Sequence, residues 1–439
     1  MLNGMKWVAM TLLGLGALVL LVLLVLLVSW LLPVPAAERA ALAAMDTAPR
    51  GQVPERNAFP ALWLLPYDGI DPARMRALTA QDVRDFAQAI GARPPQAWTT
   101  SVAEGRYPKV TAAHGWCGRD SDSCLDEVRA HAQEVAQAHR GHDGLHARIR
   151  ALGRNDHYRT LFASDVSMPF PPIQALMERL SLHALEHVRG NSTPALQGVC
   201  EDIGTGRMLM RSSDSLLLAM VGGAMASRNA ALFTEILSEL PADAPVPLRC
   251  QQALVVPTVA ELDLCVPMRG EFAYQRSATA RLPDGHSRWL YDTEKTQARN
   301  AALLSRSCAA AVRQQIREDR RVALAAPPSV WSLQCAANAV GCMLQDIAGP
   351  AYDEYNWRMQ DAGAQLRLAA AMLWLRGQPN DGKGAMATLA RLPDPLHSAH
   401  RPLQPSADGR GVQVRRFARP SPDASAMIRA RLPLAWQPH

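Results

Sequence analysis

Aromatic residues make up only 5% of the 439 residues, and runs of Val, Ile, Thr and Tyr are scarce. Strands draw on β-branched and aromatic side chains, so the shortage argues against a sheet-built fold. Ala, Leu, Arg and Gln dominate instead, which is helix composition. Lysine is nearly missing, with 4 among 46 basic residues. Together with abundant alanine, this reads as the coding bias of a GC-rich bacterial genome. No C-x-x-C occurs, which excludes a zinc ribbon or finger. The serine-nucleophile pattern G-x-S-x-G, the P-loop and a strand-following G-x-G-x-x-G are absent too. No repeat of fixed period marks a solenoid. The net charge of +6 is modest, and arginines alternate with acids, as in Arg317-Glu-Asp-Arg-Arg321. Nucleic-acid binding needs a clustered basic stripe with stacking aromatics, so no nucleic-acid partner is expected.

What is present begins with Trp7 to Leu32, 26 residues without a charge. As a helix this run rises about 39 Å, enough to cross a ~30 Å hydrocarbon core. Trp7 and Trp30 stand near its ends, where indoles favour the membrane interface. Lys6 is the only charged side chain before it, which points the N-terminus inward. A signal peptide has an apolar region of only ~7–15 residues, and Pro33-Val-Pro-Ala-Ala37 is a poor cleavage site. No cysteine stands near Leu32 for lipoprotein processing. The expectation is an uncleaved single-pass anchor in a bacterial inner membrane, with the C-terminal domain in the periplasm.

All eight cysteines follow the anchor. An even number there suggests disulfides formed in an oxidising compartment. Local pairing predicts Cys117–Cys124, Cys250–Cys265 and Cys335–Cys342, leaving Cys200 to meet Cys308. Seven residues of continuous helix would hold Cys335 and Cys342 about 10 Å apart, whereas a disulfide needs less than ~7 Å. That pair therefore requires the helix to start after Cys335, with Asn338 as its cap.

The expected organisation is an anchor at 1–32, a Pro/Ala-rich linker at 33–60, a helical domain at 61–392 and a Pro-rich irregular tail at 393–439. Expected helices include one capped by Thr79 and running through Ile90, and an amphipathic one from Ile173 to about Val188. A long helix spans Glu294–Val322, another ends at Gly349-Pro350, and a last one covers Tyr352–Arg376. The tail has room for one short strand pair around Val412–Phe417. The fold class is all-α: one transmembrane helix, then a disulfide-stapled multi-helix domain.

Two constellations could carry chemistry. His183-Ala-Leu-Glu186-His187 matches H-x-x-E-H, in which two histidines one helical turn apart bind zinc and the glutamate activates water. Glu261 is the candidate third ligand of such a zinc-dependent hydrolase or peptidase. Nothing around the motif reads as a sheet, and an ordinary helix face is the preferred reading. The second set is His139, His142 and His146, with His131 upstream. Spacings of 3 and 4 suit one helical face and a zinc or copper ion, but Gly141 and Gly144 interrupt that helix, so a solvated loop is preferred. Arg269 and Glu271 beside Cys265 read as a buried ion pair. Tyr352, Tyr355 and Arg358 read as a packing stripe.

From Cys250 onward the chain resembles a loosely defined set of uncharacterised proteobacterial envelope proteins. The matching pieces are Met268-Arg-Gly-Glu-Phe272, Asn338-Ala-Val-Gly341 and Tyr352-Asp-Glu-Tyr355-Asn-Trp-Arg358. A tail with Asp394-Pro-Leu and Arg401-Pro-Leu403 completes the set. His397–Arg401 lacks the glycine of the D-P-x-x-G-x-P-L pattern, and the Tyr-Ser element is missing, which suggests a degenerate relic. The resemblance implies a membrane-anchored, mostly helical periplasmic domain and transfers no catalytic residue. The expected function is a binding, assembly or protective role, for example against a secreted toxin, with another envelope protein as partner and no cofactor. The alternative is the hydrolase using His183, Glu186 and His187.

Overall fold

A computed structural model describes residues 2–46, 56–103, 105, 107–112, 116–118, 123–280, 290–382, 384–420 and 425–438. The principal helices are α1 (Leu2–Leu31), α2 (Ala36–Met45), α3 (Pro72–Gly91), α4 (Ala132–Ala138), α5 (Asp143–Leu152), α6 (Arg179–Val188), α7 (Ser192–Ser212) and α8 (Leu216–Leu237). They are followed by α9 (Cys265–Ala280), α10 (Thr293–Ser305), α11 (Ala310–Arg317) and α12 (Ala339–Arg376). From Ala9 to Leu31, α1 is long and apolar enough to cross a membrane, and within that stretch only Ser29, at the exit, is buried against the body. α8 is also long and apolar, but most of it lies in the core.

The core is built on α7 and α8. Gly206 and Gly222 meet where the two helices cross, and a Cβ on either would stand 2.7 Å from the other's carbonyl oxygen. Only glycine permits that approach. α12 packs on the far side of α8, and α10 packs on both α12 and α2. The expected linker at 33–60 is therefore corrected: Ala36–Met45 is a helix seated on α10, although residues 47–55 lie outside the described set.

Several boundaries differ for local reasons. α3 begins at Pro72, not Thr79, because Asp71 caps it by accepting from the Ala73 and Arg74 amides at 2.9 Å. Thr79 is buried inside the helix. Pro350 lies within α12 rather than ending it. Its ring removes one donor, and the helix runs on along the core. The expected Glu294–Val322 helix is broken by a 3-10 turn at Arg306–Cys308, between α10 and α11.

That break decides the disulfides. It sets Cys308 beside Cys265 at the start of α9, with Cα atoms 4.5 Å apart. The short helix Leu248–Ala253 lies on α7, which brings Cys250 to Cys200 at 4.9 Å. The expected Cys250–Cys265 and Cys200–Cys308 pairs are thus replaced by Cys200–Cys250 and Cys265–Cys308. Cys117–Cys124 and Cys335–Cys342 form as the spacing suggests, at 4.7 and 5.9 Å. α12 does start only after Cys335, at Ala339. Asn338 holds the cap position, but its Oδ1 accepts from the Asp292 amide and Thr296 Oγ1 instead. Each of the two long loops closed in this way restrains the unfolded chain by about 4 kcal/mol in the chain-entropy picture.

The C-terminal segment departs most from expectation. Strands β1 (Gln404–Pro405), β2 (Gly411–Arg415) and β3 (Met427–Arg431) form an antiparallel sheet in that order, so the body is mostly helical rather than all-α. Val412 faces Ala430 and Val414 faces Ile428, and all four are buried in the main core together with Trp436. Arg401 is buried between Asp361, 3.0 Å away, and Asp319, at 3.5 Å, with its guanidinium 3.4 Å from the Phe417 ring centre. Asp361 also accepts from the Phe417 and Ala418 amides. The segment is a structural part of the domain. Removing one partner of a buried charge pair costs roughly 3–5 kcal/mol. Arg401→Ala should lower stability by about that amount in denaturant unfolding, whereas a loosely attached tail would leave the midpoint unchanged.

Candidate functional site

The last carbonyls of any helix lack partners within it. At the end of α1, Lys295 supplies them: its Nζ donates to Ser29 O at 2.8 Å and to Trp30 O at 3.1 Å. A cation there also complements the helix dipole. Ser29 is fully buried and its Oγ accepts from the Ala337 amide at 2.9 Å. Gln334 donates to Pro33 O at 3.0 Å. The apolar helix thus ends inside a socket formed by α10 and the turn preceding α12. Beside this socket, Trp331, Leu333, Met343, Leu344 and Ile347 are exposed, Trp331 at 92% and Ile347 at 73%. Met343 and Ile347 share one face of α12's first turns. The socket was missed in the sequence, where Lys295 is only one scarce lysine on a helix.

The H-x-x-E-H residues lie on α6, but each binds a separate partner. His183 Nε2 stands 2.9 Å from Asp202 Oδ2, while Arg179 donates to Asp202 Oδ1 at 2.6 Å. His187 lies between Glu239 Oε2 at 3.0 Å and Ser192 Oγ at 2.9 Å. Glu186 accepts from Asn191 at 2.9 Å. Glu261 receives a fork of bonds from Arg207 at 2.7 and 2.9 Å and closes a capping box with Thr258. The structure therefore does not bring His183, His187 and Glu261 together around one point. Glu271 does not pair with Arg269; it accepts from Gln275 and lies 3.5 Å from Tyr352 Oη, and burial pushes its carboxyl up. The tyrosine stripe packs as expected, with Tyr352 and Tyr355 ring centres 6.1 Å apart and Arg358 6.0 Å from the Tyr355 ring.

The second histidine set does converge. α4 ends at His139, the chain reverses through Gly141 at φ +81°, and α5 starts after His142. The glycines break the continuous helix, as the sequence suggests, but the turn they make folds His139, His142 and His146 onto one point. Glu178, just before α6, completes the group. His142 Nδ1 is 2.5 Å and His146 Nε2 3.1 Å from Glu178 Oε1, and His139 Nδ1 is 3.3 Å from His146 Nε2. His139, His146 and Glu178 are buried, and His142 is nearly so. Burial alone would raise the Glu178 carboxyl, but hydrogen bonds from His139, His146 and His142 outweigh it and hold it well below the ordinary carboxylate range. Nothing local in the sequence links Glu178 to histidines more than thirty residues earlier. His131 stays outside the group, beside Glu134 and against Trp116.

Comparison with protein-family models, with curated proteins and with solved structures finds no match to this chain.

Burial pushes the His183 pKa down from its ordinary 6.5, against the pull of Asp202. The unfolded chain then binds a proton that the folded chain refuses, so stability is retained above pH 6.5 and falls as pH drops below it. In His183→Gln, the loss of stability between about pH 6.5 and 5 should be shallower in denaturant titrations than in the parent protein. An identical slope would contradict a buried neutral His183.

Proposed function

We propose that the chain is a single-pass protein of a bacterial inner membrane, of the proteobacterial envelope type, whose disulfide-stapled body sits in the periplasm. There it acts by binding or assembly with another envelope protein, with protection against a secreted toxin as one concrete form. The observation that carries this reading is the socket at the end of α1. Cleavage after the apolar run would strip Lys295 and the Ala337 amide of their partners at Ser29 and Trp30, which favours a retained anchor over a signal peptide. The exposed Trp331, Met343 and Ile347 beside the socket suit a body resting at the bilayer surface. Four disulfides favour the oxidising side. A non-catalytic role is supported by the H-x-x-E-H side chains and Glu261, which are all engaged in internal pairs.

Membrane fractions washed at alkaline pH, and spheroplasts treated with protease, test the topology. The full chain should stay with the membrane and lose its body to external protease. Release by alkali, or a body protected in intact spheroplasts, contradicts the reading. In-cell crosslinking should give a discrete product with a second envelope protein; monomer alone under every crosslinker would contradict the binding role.

A further inference from the structure

We propose that His139, His142, His146 and Glu178 bind one divalent transition-metal ion of the zinc type, as a closed four-ligand centre pinning the α4–α5 turn to the start of α6. The inference is independent of whether α1 spans a membrane.

Distances come first. Tetrahedral zinc with metal–nitrogen bonds near 2.0–2.1 Å sets its ligand atoms about 3.3 Å apart. The pairs His139 Nδ1–His146 Nε2, His146 Nε2–Glu178 Oε1 and His139 Nδ1–Glu178 Oε1 measure 3.3, 3.1 and 3.7 Å. The four ligand atoms all lie within 4.8 Å of one another. The shorter 2.5 Å contact of His142 with Glu178 is a hydrogen bond that opens when an ion takes the place of the shared proton. Among the described residues, this is the one group of three or more His, Cys, Asp or Glu so arranged.

Lone-pair direction comes second. Ser181 Oγ donates to Glu178 O at 3.3 Å, so its lone pairs accept from His139 Nε2–H at 2.9 Å. Those bonds hold Nε2–H on Ser181 and turn Nδ1 toward His146 and Glu178, where an incoming metal ion displaces the proton that Nδ1 shares with the carboxylate. A hydrogen bond on the far nitrogen is the usual support for a metal-bound histidine. A third observation is independent of both. Among the described residues Glu178 Oε2 is buried without any hydrogen-bond partner, and a buried carboxylate that keeps one oxygen unpaired is costly unless a cation bound to the group offsets its charge.

The donor set then selects the ion. Calcium takes six to eight oxygens and magnesium an octahedron of them, and copper(I) favours sulfur. Three imidazoles and one carboxylate, with ligand atoms converging within 4.8 Å, fit zinc. All four positions come from the protein and the group is buried, so the centre lacks the open position of a catalytic site. It acts as a staple.

The full chain, purified in detergent and stripped with a chelator, is dialysed against Zn2+ and assayed for metal. About one zinc per chain is expected, with His146→Gln and Glu178→Gln each weakening binding at least ~10-fold and His131→Ala leaving it unchanged. In the unmutated chain, chelation should lower the melting temperature and Zn2+ restore it. That arm needs no variant to fold. Co2+ in place of Zn2+ should give the intense visible absorption of a four-coordinate site. No zinc uptake, zinc uptake unaltered by the two ligand variants, or a melting temperature indifferent to chelator would each overturn the proposal; so would the weak absorption of six-coordinate cobalt.

Discussion

The rest of the molecule depends on α1, an apolar helix that the body leaves uncovered from Ala9 to Leu31 except at Ser29. That stretch holds eleven Leu and four Val. At about 0.3–0.6 kcal/mol each, these residues alone favour a bilayer over water by roughly 7 kcal/mol. A surface of that kind needs an apolar surrounding, and the body does not provide one. What the body provides is an end-stop. Lys295, Ala337 and Gln334 take up the polar groups at the helix exit, so the domain is joined to α1 by contact and not by a slack linker. α2 follows at once and packs on α10, the helix that carries Lys295.

Beyond the socket, the body solves a second problem, which is how to fix many short helices with few aromatic side chains. Disulfides restrain four points, and buried charges restrain others. Arg179 with Asp202 and His183, Arg207 with Glu261, and Arg401 with Asp361 each tie elements distant in sequence. Such pairs contribute little net stability over an apolar core, but each is strongly destabilising when half removed. They therefore fix which helices meet more than how tightly they meet. The His139–Glu178 group belongs to the same pattern.

The parts of the fold legible in the sequence were those with local causes. The length and apolarity of Trp7–Leu32 gave α1, the composition gave a mostly helical body, and Asn338 and the seven-residue spacing gave the Cys335–Cys342 geometry. Tertiary facts escaped. Nothing in the segment around Cys308 announces the 3-10 turn that redirects it to Cys265. A strand pair around Val412–Phe417 is legible in the tail, but not its pairing with Met427–Arg431 or the way Val412, Val414, Ile428 and Ala430 fold back onto α12. The Asp71-Pro72 pair carries its own local cap signal, upstream of Thr79. At the site, Gly141 is both an interruption of the helix and the turn on which the three imidazoles converge, and Glu178 reaches them through the packing of α4 against α6.

The central proposal is that the body lies outside the cytoplasm, which an exposed α1 and four disulfides support. The most direct measurement is the thiol state of the full chain in living bacteria, trapped by acid and alkylated before any oxidation can occur on lysis. No alkylated cysteine among the eight is the result this account requires. Alkylation at all eight would put the body in a reducing compartment and contradict the assignment.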